Sequence, residues 1–101
     1  MYRLRQTGHF SKWLSRLKDT KAKSRILTRL ANVRQGNLGD HKSLKGGLYE
    51  LRLHIGKGYR IYFSREGKFI IFLLLAGNKS SQSKDIERAR GILSEMRLSK
   101  W

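Results

Sequence analysis

The sequence predicts an α+β sandwich in which helices pack on one small, mostly antiparallel sheet. A short strand pattern begins the chain, two helical patterns follow it, and three strand patterns come before a last helical pattern. The predicted order is therefore β-α-α-β-β-β-α. The 101 residues include no proline, no repeat and no linker-like segment, so we expect a single domain over residues 1–101.

The N-terminal half supplies the first strand and a pair of helices. "MYRLR" alternates apolar and basic residues, and Thr7 is expected to cap a helix with an apolar face of Phe10, Trp13, Leu14 and Leu17. After "KDT", a second helix should turn Ala22, Ile26, Leu27, Leu30 and Val33 inward. Its basic residues should lie mostly outward: Lys21, Lys23, Arg25 and Arg29. "QGNLGDHKSLKGG" is predicted to be a long loop.

The stretch "LYELRLHIGKGYRIYF", residues 48–63, predicts a hairpin. With Gly56-Lys57-Gly58 as its loop, Ile55 pairs with Tyr59, and all apolar side chains share one face. The other face becomes a connected polar patch. In this register the opposed pairs are His54 with Arg60, Arg52 with Tyr62, and Glu50 with Ser64.

The last strand and helix complete the pattern. "KFIIFLLLA" is apolar on both faces, which indicates a central strand covered on two sides. It is too short to span a bilayer, and "MYRLRQTGHF" lacks the apolar core of a signal peptide. The final helix should begin near Ser80, Ser81 or Ser83 and carry the apolar stripe Ile86, Ala89, Leu93 and Met96. Trp101 is expected to belong to a terminal tail.

The net charge of +16, from 23 Lys and Arg against 7 Asp and Glu, is the strongest compositional signal. Such self-repulsion favours a polyanionic partner, with nucleic acid first and an acidic protein or an anionic membrane as alternatives. The helices resemble core-packing helices rather than membrane-surface ones, so we expect no membrane partner. We expect no metal and no cofactor, because the acidic residues are scattered and no glycine-rich phosphate loop is present. His9 and His41 are isolated, and no role is assigned to them.

The polar patch has the residue types that metal-free RNA cleavage requires. Such a reaction must neutralise the phosphate, take up the 2′-hydroxyl proton and protonate the leaving oxygen. Arg52, Arg60 and Lys79 are the candidates for the positive field, and Glu50 and His54 are the candidates for proton transfer.

A purely structural interpretation stands beside this one. Cross-strand Glu, Arg and His are common on solvated sheet faces that have no further role, and this alternative applies most directly to Glu50 and His54. A surface lysine such as Lys79 is usually only solvated. Its place directly after the central strand is what draws attention to it.

The blocks "LKGGLYELRLHIGKGYRIYF" and "GNKSSQSKDI" resemble the RelE/ParE superfamily of bacterial toxins over nearly the whole chain. The resemblance is closest to the phage-derived HigB-like branch, the addiction-module killer proteins. It implies a RelE-like fold and the toxin of a type II toxin–antitoxin system in the bacterial cytoplasm. It further implies a metal-independent endoribonuclease that cleaves mRNA on the ribosome, so that mRNA and rRNA are partners, together with a HigA-like helix-turn-helix antitoxin.

The resemblance also implies roles for single residues. Arg60 matches the strand arginine of "GYR" that binds the scissile phosphate, while Arg52 and Lys79 fall where such toxins place catalytic basic residues. Further candidates for RNA contact are Lys45, Lys57 and Tyr62. The chain departs from RelE in having Glu50 in place of a lysine and no tyrosine near Asp85. We expect Arg60→Ala to remove toxicity and to leave the fold intact, because the side chain should face away from the core.

Two other functions fit the same sequence. A ParE-like inhibitor of DNA gyrase would share the fold but bind its target without cleaving RNA. A non-catalytic basic module would bind RNA in a salt-sensitive way and leave it uncut. Inhibition of DNA supercoiling with intact mRNA would identify the first.

Overall fold

A computed structural model describes residues 1–99, and Trp101 lies outside this range. In chain order the elements are β1 (Arg3–Gln6), α1 (Gly8–Arg16), α2 (Thr20–Arg34), β2 (His41–Ser43), β3 (Leu48–Leu53), β4 (Tyr59–Glu66), β5 (Ile70–Gly77), a 3₁₀ turn (Lys79–Ser81) and α3 (Gln82–Leu98). The predicted α+β order is confirmed with one addition. The segment predicted as a long loop contains the short edge strand β2, which pairs with β3.

The five strands form one sheet in the order β1-β5-β4-β3-β2, with β1 parallel to β5 and the other pairs antiparallel. One face packs on α1 and α2 through a cluster that includes Phe10, Ile26 and Phe63. The other face packs on α3 through a second cluster that includes Leu74 and Leu93. The prediction for the apolar strand is confirmed, because β5 lies between β1 and β4 and is covered on both faces.

The helix boundaries follow from local capping. The Thr7 side chain accepts a hydrogen bond from the Phe10 N–H at 3.1 Å, and Asp19 does the same for Ala22 at 3.0 Å. Such caps satisfy backbone donors that the first helical turn leaves free. The predicted cap at Thr7 is thus confirmed. Ser81 is the N-cap residue of α3, as one of the predicted alternatives had it, but its side chain makes no capping hydrogen bond. No helix within residues 1–99 combines the length and apolar character that crossing a membrane requires.

One predicted core position of α2 is wrong. Leu27 is 50% exposed, whereas the neighbouring Ile26 is fully buried. The buried residues of this helix are Ala22, Ile26, Leu30 and Val33. They follow the spacing of three to four residues that places side chains on one helical face, and Leu27 lies outside that stripe.

The hairpin register differs from the predicted one by two residues. Leu53 pairs with Tyr59 and Leu51 with Ile61, so the connection comprises residues 54–58 rather than three residues. Gly58 donates its N–H to the Ile55 carbonyl at 2.8 Å and closes this longer turn. Because side chains alternate with a period of two, the shift leaves every residue on its predicted face and changes only its cross-strand partner.

A bulge in β5 lies next to the predicted site. Tyr62 pairs with Leu75 and Phe63 with Leu73, so Leu74 is an extra residue on β5. Its carbonyl accepts a hydrogen bond from the Thr7 hydroxyl at 2.7 Å. Thr7, the N-cap residue of α1, therefore also provides a hydrogen-bond donor to the bulged residue.

Candidate functional site

Arg52 and Arg60 lie directly opposite each other on β3 and β4. The predicted partners, Tyr62 for Arg52 and His54 for Arg60, are therefore wrong, because the register is shifted. Opposed like charges on neighbouring strands destabilise a sheet unless other groups compensate them. The Arg60 Nη1 donates to the Gly58 carbonyl at 2.6 Å, and the Arg52 Nη2 donates to the Asp40 Oδ1 at 2.8 Å.

Asp40 joins two of the candidate residues. Its second carboxylate oxygen, Oδ2, lies 2.7 Å from the Nε2 of His54. The hydrogen bonds from Arg52 and then His54 hold the pKa of Asp40 below its usual value. The same bond to Asp40 raises the pKa of Arg52. Asp40 thus keeps a charged guanidinium and an imidazole side by side at the end of β3.

Arg29 of α2 fixes the segment that carries Asp40. Its guanidinium donates to three carbonyl oxygens, those of Leu38 at 2.8 Å, Arg52 at 3.0 Å and Asp40 at 2.6 Å. Burial lowers the pKa of Arg29, and the charge of Asp40 partly offsets this effect. The prediction that Arg29 lies outward is therefore wrong. Its side chain is partly buried and connects α2 to the site.

Lys79 lies beside Arg60 across Gly58. A Cβ placed on Gly58 would come within 2.8 Å of the Arg60 Nη1 and 3.3 Å of the Lys79 Cβ. Gly58 has φ +73°, a left-handed conformation that glycine adopts at low cost. The Lys79 N–H donates to the Lys57 carbonyl at 3.2 Å, which holds the hairpin loop against the 3₁₀ turn. The structure therefore brings Arg60 and Lys79 together, and Lys57 belongs to the adjoining exposed loop.

The part of the polar face under α3 is buried rather than solvated. Glu50 is 1% exposed and Tyr62 is fully buried. The Glu50 Oε2 accepts a hydrogen bond from the Gln82 Nε2 of α3 at 2.8 Å. Burial raises the pKa of Tyr62, with a further rise from the charge of Glu50. The expectation that Tyr62 contacts RNA is therefore contradicted, and Glu50 presents almost no surface to a substrate.

The exposure of the other candidates differs widely. The side chains of His54 and Arg52 are 69% and 33% exposed, and Lys79 is exposed. Arg60 stays on its predicted face, opposite to the cluster under α1 and α2, but it is only 8% exposed. Lys45 precedes β3, whose first residue, Leu48, is roughly 13 Å along the strand from Arg52. Lys45 is therefore not part of the cluster around Arg52 and Arg60.

Several buried polar atoms on this face have no hydrogen-bond partner within residues 1–99. They are the Arg52 Nε, the Arg60 Nε, the Tyr62 hydroxyl and the Ser64 Oγ. Unpaired buried donors are costly in free energy, so native proteins contain few of them. The two unpaired Nε donors belong to the arginines that lie opposite each other on β3 and β4.

Sequence reasoning missed four residues that shape this region: Asp40, Arg29, Gln82 and Asp85. The first two reach the site from α2 and the loop after it. On α3, the Asp85 Oδ2 accepts from the Ser81 Oγ at 2.6 Å next to Gly77. No short motif marks Asp40, Arg29 or Gln82, because Asp40 bonds Arg52, Arg29 bonds the Arg52 carbonyl and Gln82 bonds Glu50, all of them distant in sequence. No group of three His, Cys, Asp or Glu residues within residues 1–99 is placed to hold a metal ion.

The arrangement combines fixed positive charge with one accessible proton carrier. The two arginines and Lys79 are suited to the charge of a phosphate, because guanidinium forks and ammonium groups bind phosphate oxygens. The Nε2 of His54 is engaged by Asp40, which leaves Nδ1 for proton exchange. Because the Asp40 carboxylate can only accept, this contact assigns a proton to the Nε2 of His54.

A comparison with known proteins shows a relative by sequence. The chain is 40% identical over 95 residues to an uncharacterized protein of Haemophilus influenzae, a match that covers 94% of this chain and 96% of that protein. No protein-family model matches the sequence.

Two solved structures have a similar fold. One is the intact Escherichia coli RelBE toxin–antitoxin complex, with a TM-score of 0.60 and 21% identity, covering 77% of this chain and 96% of that chain. The other is a mutant of the E. coli toxin RelE in the free state, with a TM-score of 0.52 and 22% identity, covering 86% and 96%. The chain therefore has the fold of these RelBE and RelE structures and belongs to one family with the Haemophilus influenzae protein.

Proposed function

We propose that this protein is the toxin of a type II toxin–antitoxin system and cleaves mRNA on the ribosome without a metal ion. We place it in the HigB-like branch, with residues 1–101 as a single domain that acts in the bacterial cytoplasm. Its partners would be mRNA, rRNA and a HigA-like helix-turn-helix antitoxin. A fold does not establish a function, so the proposal depends on the site.

The pair of opposed arginines carries the proposal. Arg52 and Arg60 face each other across two strands, and both have a buried Nε donor without a partner in the described part of the chain. Lys79 adds a third positive charge next to Arg60. Donors that are already in place for a developing negative charge stabilise a transition state without reorganisation. A pentavalent phosphate has such a charge.

Each remaining candidate has a defined place in this proposal. His54 is the group that transfers protons during RNA cleavage. Asp40 holds the imidazole ring of His54 through Nε2. Lys57 and Lys45 are exposed and would contact RNA at a distance from the reacting phosphate. Glu50 and Tyr62 have no part in it, because α3 covers both.

Induced expression followed by primer extension on abundant mRNAs tests the proposal. Wild-type protein should produce new 5′ ends that depend on translation. Arg52→Ala should reduce them by roughly 10²- to 10³-fold, the usual cost of removing one transition-state donor. Arg34→Ala is the matched control, because it removes an exposed arginine near the opposite end of the sheet.

Two results would contradict the proposal. Growth arrest with intact mRNA and inhibited supercoiling would identify a gyrase inhibitor. Binding of RNA without cleavage, even on translating ribosomes, would identify a non-catalytic RNA-binding module.

A further inference from the structure

A second basic surface lies between α1 and α3, outside the site described above. It is a groove of about 400 Å³, here called the α1–α3 groove. Its rim has five exposed basic or imidazole side chains: His9, Lys12, Arg16, Lys18 and Arg88. Its floor is apolar and is formed by Trp13, Leu17, Leu75 and Ala76.

The positive charge of this groove is not compensated by the protein. No acidic residue lines it. The ion pairs found within residues 1–99 involve Arg52, His54 and Arg97, none of which belongs to the groove. Lys12 and Arg16 lie four residues apart on α1, a spacing at which like charges destabilise a helix. A cleft with one sign of charge and apolar walls attracts ligands of the opposite charge.

The floor adds a flat aromatic surface. The Trp13 ring lies 6.3 Å from the ring of Phe10 and 5.9 Å from that of Tyr59, measured between centroids, so its position is fixed by the core. Basic groups around an aromatic floor are what proteins use to bind single-stranded nucleic acid, with phosphates on the cations and a base against the ring. The carboxylates of an acidic peptide would match the charge, but they would not stack on the indole as a base does.

The groove adjoins the proposed catalytic site. Ala76 on its floor is followed by Gly77, which pairs with Arg60, and then by Lys79. Lys79 is three positions after Ala76 in the chain, so their Cα atoms are at most about 11 Å apart. One RNA strand can therefore reach both places.

We propose that the α1–α3 groove binds a segment of single-stranded RNA that continues from the proposed catalytic site. The choice of RNA as the polyanion rests on the proposed function. The rim residues contact phosphates, and one nucleoside lies on the floor at Trp13.

Tryptophan fluorescence gives a local test. The chain has two tryptophans, so Trp101→Phe leaves Trp13 as the only indole. Titration of this variant with a short, mixed-sequence single-stranded RNA should quench its fluorescence over the same concentrations that raise the anisotropy of a labelled RNA. RNA that binds without changing the fluorescence of Trp13 would overturn the inference.

A charge-matched pair of variants makes the test specific. Lys12→Gln with Arg88→Gln removes two rim charges, and Arg34→Gln with Lys68→Gln removes two exposed charges near the other end of β5, roughly 23 Å away. Each phosphate contact on a single strand contributes about 0.7 to the slope of log K against log salt. For the groove variant, the magnitude of this slope should fall by about 1.4, and RNA should no longer quench Trp13. The control variant should keep both the slope and the quenching.

The remaining outcomes separate this inference from the proposed function. Equal slopes for the two variants would overturn the inference even if mRNA is cleaved. Groove-dependent RNA binding without cleavage on ribosomes would support the inference and contradict the proposed function. Stronger quenching by polyglutamate than by RNA of equal charge would overturn the assignment to RNA and favour an acidic protein.

Discussion

The Asp40 Oδ1 accepts a hydrogen bond from the Arg52 Nη2 at 2.8 Å, and this contact joins the loop after α2 to the end of β3. The same two residues are also joined through the backbone, where the Arg52 N–H donates to the Asp40 carbonyl at 3.0 Å. Arg52 is therefore held in place before any substrate arrives. This fixed position explains how the sheet tolerates Arg52 directly opposite Arg60.

Asp40→Asn should lower stability at neutral pH and have a smaller effect in acid. The folded protein holds the pKa of Asp40 below its ordinary value of 3.8, whereas the unfolded chain does not. A depressed folded-state pKa stabilises the fold above the unfolded value, and that contribution is lost as the pH falls from about 5 through the folded pKa. Urea denaturation of both proteins across this range measures it. A difference that is constant with pH would contradict the role of the carboxylate.

Arg60→Lys should separate activity from folding better than Arg60→Ala. Arg60 is buried, so removing its side chain leaves a cavity and a lower melting temperature. Lysine keeps the charge and loses the planar fork, and we expect mRNA cleavage to fall by about 10²- to 10³-fold. Primer extension and thermal unfolding measure the two effects. Full cleavage by the lysine variant would mean that the planar fork of Arg60 is not required for cleavage.

Gly58→Ala should impair cleavage, whereas Gly67→Ala should not. Both glycines have positive φ, +73° and +70°, so both substitutions should cost about 1–2 kcal/mol of backbone strain. Only the Cβ at Gly58 would collide with Arg60 and approach Lys79, and no atom lies within 4 Å of one at Gly67. Chemical denaturation should show similar losses for the two variants. Equal cleavage by the two would mean that the position of Arg60 does not matter.

Tyr62→Phe should leave cleavage unchanged and raise stability by about 1 kcal/mol. The Tyr62 hydroxyl is buried without a partner in residues 1–99, and removing an unsatisfied polar group relieves its desolvation cost. Melting curves and primer extension measure both properties. If cleavage is lost in a folded variant, the hydroxyl takes part in function and α3 must move away from it.

Sequence patterns predicted the parts of the fold that depend on neighbouring residues. The cap at Thr7 needs only a side chain that reaches the Phe10 N–H, three residues away. The apolar stripe of α3 follows from helical periodicity, and the double burial of β5 follows from a run of apolar residues. The resemblance carried by "LKGGLYELRLHIGKGYRIYF" and "GNKSSQSKDI" also predicted a RelE-like fold, which the solved structures support.

The cross-strand partners could not be predicted in the same way. A slip of two residues keeps each side chain on its face, so the burial pattern is equally satisfied by Arg52 opposite Tyr62 and Arg52 opposite Arg60. The observed register, with Arg52 opposite Arg60, goes with the longer loop that the Gly58 N–H closes.

By itself, the sequence determined which residues lie on each face of the hairpin, because a strand alternates with a period of two. Only the tertiary structure decided which polar residues of that face stay accessible. Helix α3, from the far end of the chain, covers Glu50 and Tyr62, while Asp40, from the loop after α2, engages Arg52 and His54 at the uncovered end. Burial of a polar side chain depends on what packs above it, and the partners here lie 12 to 32 positions away in the sequence.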